Sequence, residues 1–427
     1  MKKARNFRRL AVLLLSMLLA AAPALSAAAD DAGLDEKIAE SASALSSLET
    51  EAGTRLADLE NFPAGNSVND WTACILSYSG SKECYSDYLD ALQAYVEKAY
   101  EEKGLLHDVK ATEYHRIAMT VMALGGDPTA FGTTPEGTPI NLIADGTYDY
   151  VGRDLGLQGL NGWIWALITL NASFEEVPDS ARYQVQDIIS EILAAQEPDG
   201  GFGLERGRSD VDITAMALQA LAPYAGLYQD EITNALNWLS IQVNDDCTVG
   251  NSEESGSESI AQIIMALCAL EIDPEAPTAF VRGDNTLLTA LDKYRLADGS
   301  YLHVLNEETG NSLSTCQALE ALLSVRAFHR GAGFVFSQGY NIPNESSAQA
   351  GTSSGQAGGS ASGQGGTSGS PASGQNDASG GSASGQGSAS GGSNAQNGTN
   401  YLPVIIIIVA AAAAVIIAAA VMKKRRQ

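Results

Sequence analysis

Along the chain, all-apolar runs alternate with amphipathic ones at a period of about fifty residues. Six apolar segments recur: Trp71–Leu76, Ala118–Leu124, Trp165–Leu170, Ala215–Leu221, Met265–Leu270 and Cys316–Leu322. Their final leucines stand 48, 46, 51, 49 and 52 residues apart. A segment that is apolar on every side and rich in alanine has no water-facing stripe, so each reads as a buried helix packed by close neighbours. Before most of them lie stretches with apolar residues at three- and four-residue spacing and charges between: Lys37–Leu59, Tyr88–Glu101, Arg182–Ala195, Glu231–Ile241 and Thr286–Tyr294. These read as surface helices. The remaining one, around Asn141–Asp145, is weak and is expected to be short. Six hairpins, outer helix then inner helix, predict an all-α fold, an α6/α6 toroid, over residues 30–344.

The two ends of the chain break this pattern. A basic start, Met1–Arg9, leads into an apolar run from Leu10 to about Ala22 and a small-residue exit at Ala27–Ala29. That order predicts a secretory signal peptide over residues 1–29. At the other end, Val404–Met422 carries no charge. As a helix it would be roughly 28 Å long, close to the hydrocarbon thickness of a bilayer. The basic cluster Lys423, Lys424, Arg425 and Arg426 follows at once. Residues 403–422 are therefore expected to form a transmembrane helix, with the basic tail 423–427 on the cytoplasmic side. Between them and the repeats, residues 345–402 form a Gly/Ser-rich linker, and Ser346–Asn400 has Asp377 as its one charge. Such a composition buries too little apolar surface to order itself and predicts a flexible stalk with an r.m.s. span on the order of 40 Å. The expected protein is a single-pass membrane protein with an extracellular domain; the stalk and short basic tail resemble those of Gram-positive surface proteins.

Charge narrows the partners. Nine of the 25 basic residues lie in the leader and tail, and all 51 acidic ones lie between, which leaves the intervening part at a net −35. This argues against nucleic acid and anionic lipid surfaces. Of the five cysteines, Cys74 and Cys84 could close a short loop outside the cell, while Cys268 and Cys316 fall on apolar helical faces and read as buried thiols. The odd count, with Cys247 left over and no C-x-x-C pair, speaks against a disulfide framework or a structural zinc site.

The turns carry a further signal. Gln196, Asp199, Gly200, Gly201 and Phe202 stand in the order Q-x-x-D-G-x-aromatic, and Asp298-Gly299-Ser300-Tyr301 repeats its core. The glycines are expected to cap outer helices in the left-handed conformation, with the aromatic folded back on the preceding helix. The first run resembles the Q-x-x-D-G-x-W repeat of terpenoid cyclases. Asp210-Val211-Asp212-Ile213-Thr214-Ala215 resembles the D-x-D-D-T-A segment of squalene–hopene cyclases. The resemblance spans roughly residues 30–331, and prenyltransferase β-subunits and vitamin B12 carriers share the implied toroid. It implies Asp212 as the acid that would protonate a hydrophobic substrate; Ile213 stands where those enzymes have an assisting acid. Prenyltransferases hold zinc with Asp, Cys and His. His107, His115, His303 and His329 make no such set with a cysteine at the matching repeat position, so neither metal nor cofactor is expected.

Overlaying the repeats on their final leucines sets Asp210 opposite Ser259 and Asn311, three good N-cap residues. Asp212 falls opposite His115, Asn161, Ala261 and Leu313. In a first helical turn its carboxylate is expected to have a lowered pKa. Three roles stay open for it: first-turn electrostatics, ligand contact, or catalysis. Inner-helix N-termini would open on one end of the barrel, so His115, Asn161, Asp212 and Glu258 are expected to ring its mouth. Trp163 and Trp165 would either line the barrel or pack it. The acidic loop Asn244–Ser259 lacks the D-x-D-x-D order of a calcium loop and reads as a solvated surface. The expected function is non-catalytic binding of a small-molecule or surface ligand. The alternatives are a terpenoid-cyclase-like enzyme with Asp212 as general acid, or a carbohydrate-active α6/α6 enzyme with paired carboxylates.

Overall fold

Asn66, Asp210 and Asn311 each set a side-chain oxygen on backbone N–H groups two or three residues ahead, and a helix starts after each. Satisfying those orphan donors stabilises a helix start by about 1 kcal/mol. The computed structural model describes residues 32–48, 55–81, 85–250 and 256–337. The leader, the linker, the expected transmembrane helix and the basic tail lie outside the described residues, as does Cys84. Among the described residues there are helices and isolated β-bridges but no strands, and no helix long and apolar enough to cross a membrane.

The helices are α1 (32–47), α2 (Ser67–Ser79), α3 (Tyr85–Lys103), α4 (Ala111–Ala123), α5 (Leu142–Gly146), α6 (Leu160–Ser173), α7 (Val185–Ala194), α8 (Val211–Leu221), α9 (Gln229–Gln242), α10 (Ser257–Ala269), α11 (Leu287–Leu291) and α12 (Ser312–His329). Every apolar segment of the repeat lies in or against an even-numbered helix, and the patterned stretches fall on odd-numbered ones. The stretch around Asn141 forms only the five-residue α5. The first stretch was read too long: helix α1 ends at residue 47, and a separate 3-10 turn occupies Arg55–Ala57.

Burial follows the pattern. Helix α8 buries Ile213, Ala215, Ala217, Leu218, Ala220 and Leu221, and α10 buries every residue from Ile260 to Cys268. Each fully buried large aliphatic side chain contributes roughly 1.5–3 kcal/mol, and the alanines let neighbouring helices approach closely. Helix α2 packs on α4, α4 on α6, α6 on α8, α8 on α10 and α10 on α12, while α12 packs on α2. Helices α5, α7, α9 and α11 lie mainly on the inner helix before them, α4, α6, α8 and α10, so the hairpins pair inner helix then outer helix, the reverse of the order expected from the sequence. Cys74, Cys247, Cys268 and Cys316 are all free buried thiols. Cys74 Sγ lies 3.8 Å from the Met119 carbonyl oxygen, in the contact between α2 and α4.

The Asp-Gly turns serve a different purpose from the one their glycines suggest. Helix α7 ends at Ala195 in ordinary right-handed geometry, and Gly200 comes five residues later at φ 95°. A Cβ on Gly200 would stand 2.8 Å from the Asn234 carbonyl oxygen, so the turn needs glycine to lie flat on α9. Asp199 holds it there, accepting from Gly201 N–H at 3.1 Å and from Trp238 Nε1–H at 2.9 Å. Gln196 Nε2 adds a bond to the Glu231 carbonyl at 2.8 Å. The residue that follows is tied through its backbone to the next helix: Phe202 N–H donates to Thr214 Oγ1 at 2.8 Å. Tyr301 N–H does the same to Thr315 Oγ1 at 3.0 Å. In the equivalent turn, a Cβ on Gly299 would meet the Glu40 carbonyl oxygen of α1 at 2.6 Å.

Candidate functional site

Asp210 is the N-cap of α8: its Oδ1 accepts from Ile213 N–H at 3.0 Å, and the residue is exposed. Two residues on, Asp212 turns inward. Its Oδ1 is buried with no hydrogen-bond partner. Asn161, at the same turn of the neighbouring α6, also holds a buried Oδ1 without a partner. Each is an acceptor without a donor in the first turn of one of two neighbouring helices, where an unmet bond costs roughly 1–3 kcal/mol.

Glu258 occupies the second position of α10, as Asp212 does in α8. It is 7% exposed and fully engaged. Its Oε1 accepts from Ser314 Oγ of α12 at 2.5 Å, and its Oε2 pairs with His303 Nδ1 at 2.8 Å. A carboxylate only accepts, so Nδ1 of the half-exposed His303 ring is the donor in this pair. The His303 loop is pinned to α10 by Ser257, whose N–H donates to the His303 carbonyl at 3.0 Å and whose Oγ donates to the Leu302 carbonyl at 2.7 Å.

Asp212 lies within the field of this group. Burial pushes its pKa up to about 6, with the Asp210 and Glu258 charges adding to the rise; Ser259 and His303 pull the other way. The sequence-based expectation was a lowered value, from the helix dipole. Desolvation outweighs that dipole here because the carboxyl points into the protein rather than back along the helix end. Asp212 is thus a carboxyl group half-protonated near pH 6 and mostly ionised at pH 7. It can accept a donor from a ligand, or give up a proton.

The other expected site residues separate. His115 is 1% exposed, and its Nε2 lies 2.6 Å from the Gly146 carbonyl, so it bonds α4 to α5 instead of facing an opening. Its Nδ1 is buried without a partner, and burial lowers its pKa to about 4. Trp163 packs edge-on to Tyr183, 5.2 Å between centroids, on the side of α7. Trp165 instead meets Trp71 of α2 at 5.0 Å and Phe336 at 6.1 Å. Helices α2 and α6 both flank α4, so these aromatics meet across its face, with Phe336, brought back by the segment after α12, among them. Sequence reasoning missed His303 and Ser314 as members of the group; only the Asp298-Gly299 turn, a few residues before His303, marked the loop.

In the acidic loop, Asp246 is held by Lys293 at 2.8 Å and by the Thr248 hydroxyl at 2.6 Å, which lower its pKa to about 2. Among the described residues, no group of three or more His, Cys, Asp or Glu side chains could hold a metal ion. No family model matches the chain, and no curated protein is similar to it.

Proposed function

We propose that this chain is a membrane-anchored surface protein whose helical domain is an α6/α6 toroid that binds a ligand at the inner-helix N-termini, around Asp212 and Asn161. The toroid reading rests on the order of helix contacts, in which α12 returns to α2. Anchoring rests on the leader-like start and the uncharged run with its basic tail. The observation that carries the binding reading is the pair of buried, unpartnered acceptors, Asp212 Oδ1 and Asn161 Oδ1. Such acceptors fit a ligand that brings hydrogen-bond donors, such as a polyhydroxylated or amine-bearing molecule, with Glu258 and His303 fixing the rim. The aromatic cluster of Trp71, Trp165 and Phe336 occupies space that an enclosed cyclisation chamber would need, which favours binding at the mouth.

Native mass spectrometry of the full-length chain extracted from its own membrane tests this. A retained small molecule that is absent from Asp212→Asn, with unchanged helical circular dichroism, is the expected result. A chain that carries nothing, or an Asp212→Asn variant that retains the same molecule, overturns it.

The raised pKa of Asp212 favours a second reading, in which Asp212 acts as a general acid on a terpenoid-like or glycosidic substrate. That reading requires turnover with an apparent pKa near 6 that vanishes in Asp212→Asn.

A further inference from the structure

At the other ends of the same helices, a cavity of about 620 Å³ lies among the C-termini of α6, α8 and α10 and the segment Gly331–Ser337. Its walls are mixed. Ile168, Pro223, Leu270, Phe334 and Phe336 supply apolar surface, and no basic side chain is among the lining residues. Two of the polar liners satisfy each other: Tyr224 donates its hydroxyl to Asn171 Oδ1 at 2.8 Å, and Asn171 Nδ2 donates to the Ala220 carbonyl at 3.0 Å.

Gln219 does not close in this way. It is 1% exposed, lines the cavity, and has a buried Oε1 with no partner. The orientation of its amide is set by its neighbours. Gln219 Nε2 donates to Gln262 Oε1 at 2.9 Å and to the Gln262 backbone carbonyl at 3.3 Å, and a carbonyl can only accept. Gln262 Nε2 in turn donates to Gln317 Oε1 at 3.1 Å, so a chain of three amides on α8, α10 and α12 holds the Gln219 oxygen in place. An oxygen so fixed and left unbonded calls for a donor from the cavity. The surroundings select for positive charge on that donor. Three helices end here, each with partial negative charge at its carbonyl terminus, and Glu271 adds a carboxylate to the lining.

We propose that this cavity is a binding site for a small organic ammonium ion with a hydrocarbon body, its N–H directed to Gln219 Oε1 and its apolar part against Phe334 and Phe336. The site is separate from the mouth at Asp212 and does not depend on the reading given above. Aromatic faces beside the bound cation add attraction of their own.

Calorimetric titration of the full-length chain with hexylammonium, hexanoate and 1-hexanol tests the proposal. Any detergent or lipid background is common to all variants and cancels between them. The expected result is one saturable hexylammonium site, with hexanoate silent and hexanol much weaker. Gln219→Met, which removes the acceptor, should weaken binding about tenfold. Ala225→Trp, which fills the cavity from its half-buried rim, should abolish binding at this site. Three outcomes would overturn the proposal: no saturable site, equal affinity in wild type and Ala225→Trp, or hexanoate binding as tightly as hexylammonium.

Discussion

Arg116 Nε lies 2.9 Å from Asp70 Oδ2, a buried ion pair that joins α4 to α2. Asp70 is wholly buried, and it also accepts from the Tyr88 hydroxyl at 2.6 Å and from Gly65 N–H at 2.9 Å. Arg116 reaches on to Glu113 at 2.8 Å and to the Gly65 carbonyl at 3.1 Å. Removing one partner strands the other charge in the core, so Arg116→Met should cost about 3–5 kcal/mol. Asp70→Asn together with Arg116→Met should cost less than the sum of the two single changes, because the stranded charge is gone. Urea midpoints of the four proteins measure this; strict additivity would contradict a coupled pair.

His115 predicts a loss of stability in mild acid. Its folded pKa is depressed from 6.5 to about 4 by burial, so the unfolded chain takes up a proton over a range where the folded one does not. Its contribution is complete above pH about 6.5 and falls as the pH drops toward 4, by roughly 3 kcal/mol in all. Denaturation midpoints at several pH values should show this slope in the wild type and a flatter one in His115→Gln.

Glu320 acts in the opposite direction. It lies in α12, 6% exposed, with the Cys316 thiol 3.7 Å from its Oε1, and burial raises its pKa from 4.5 to about 8. The folded state keeps this carboxyl protonated while the unfolded chain ionises. Stability is therefore full below pH about 4.5 and declines as the pH rises through 8, by on the order of 4 kcal/mol. Glu320→Gln should gain stability at pH 8 and change little at pH 4. A variant that is less stable than wild type at pH 8 would show that the carboxylate, not the acid, is what the fold holds.

Phe336 is 3% exposed, and its ring meets those of Trp71, Tyr78, Trp165 and Phe334. Phe336→Ala should destabilise by about 3–5 kcal/mol. It should also shift the tryptophan emission to longer wavelength, since Trp71 and Trp165 lose their cover. An unchanged spectrum would mean that the segment after α12 does not sit against them.

The succession of helices was readable from sequence because a buried helix of this kind has no polar face to confuse its pattern, but which neighbour each surface helix packs on was not. Positions along those helices were harder to read. From N-cap to final leucine, α8 and α12 run the same length, whereas α4 and α10 start about one turn earlier. Aligning on leucines therefore matched Asp212 with His115 and Ala261, where the helix starts match it with Thr112 and Glu258. Gly256, the N-cap of α10, offers no side chain to mark that start. Ser259, read as a cap, is the third residue of the helix. The pKa of Asp212 was misread for a related reason: a sequence shows that a carboxyl lies in a first turn, but not whether it points to water or to protein.

The turn at Asp298–Gly299 bears on α1, and α1 is fastened there by Lys37 to Asp292 at 2.5 Å and by Glu40 to Arg295. The first helix of the domain thus completes a contact surface supplied by residues some 250 positions further along the chain. A nascent chain cannot make these contacts of α1 until some 250 residues more have been made. Fastening α1 to the domain is therefore a late step of folding, one that waits for the residues of the last repeat.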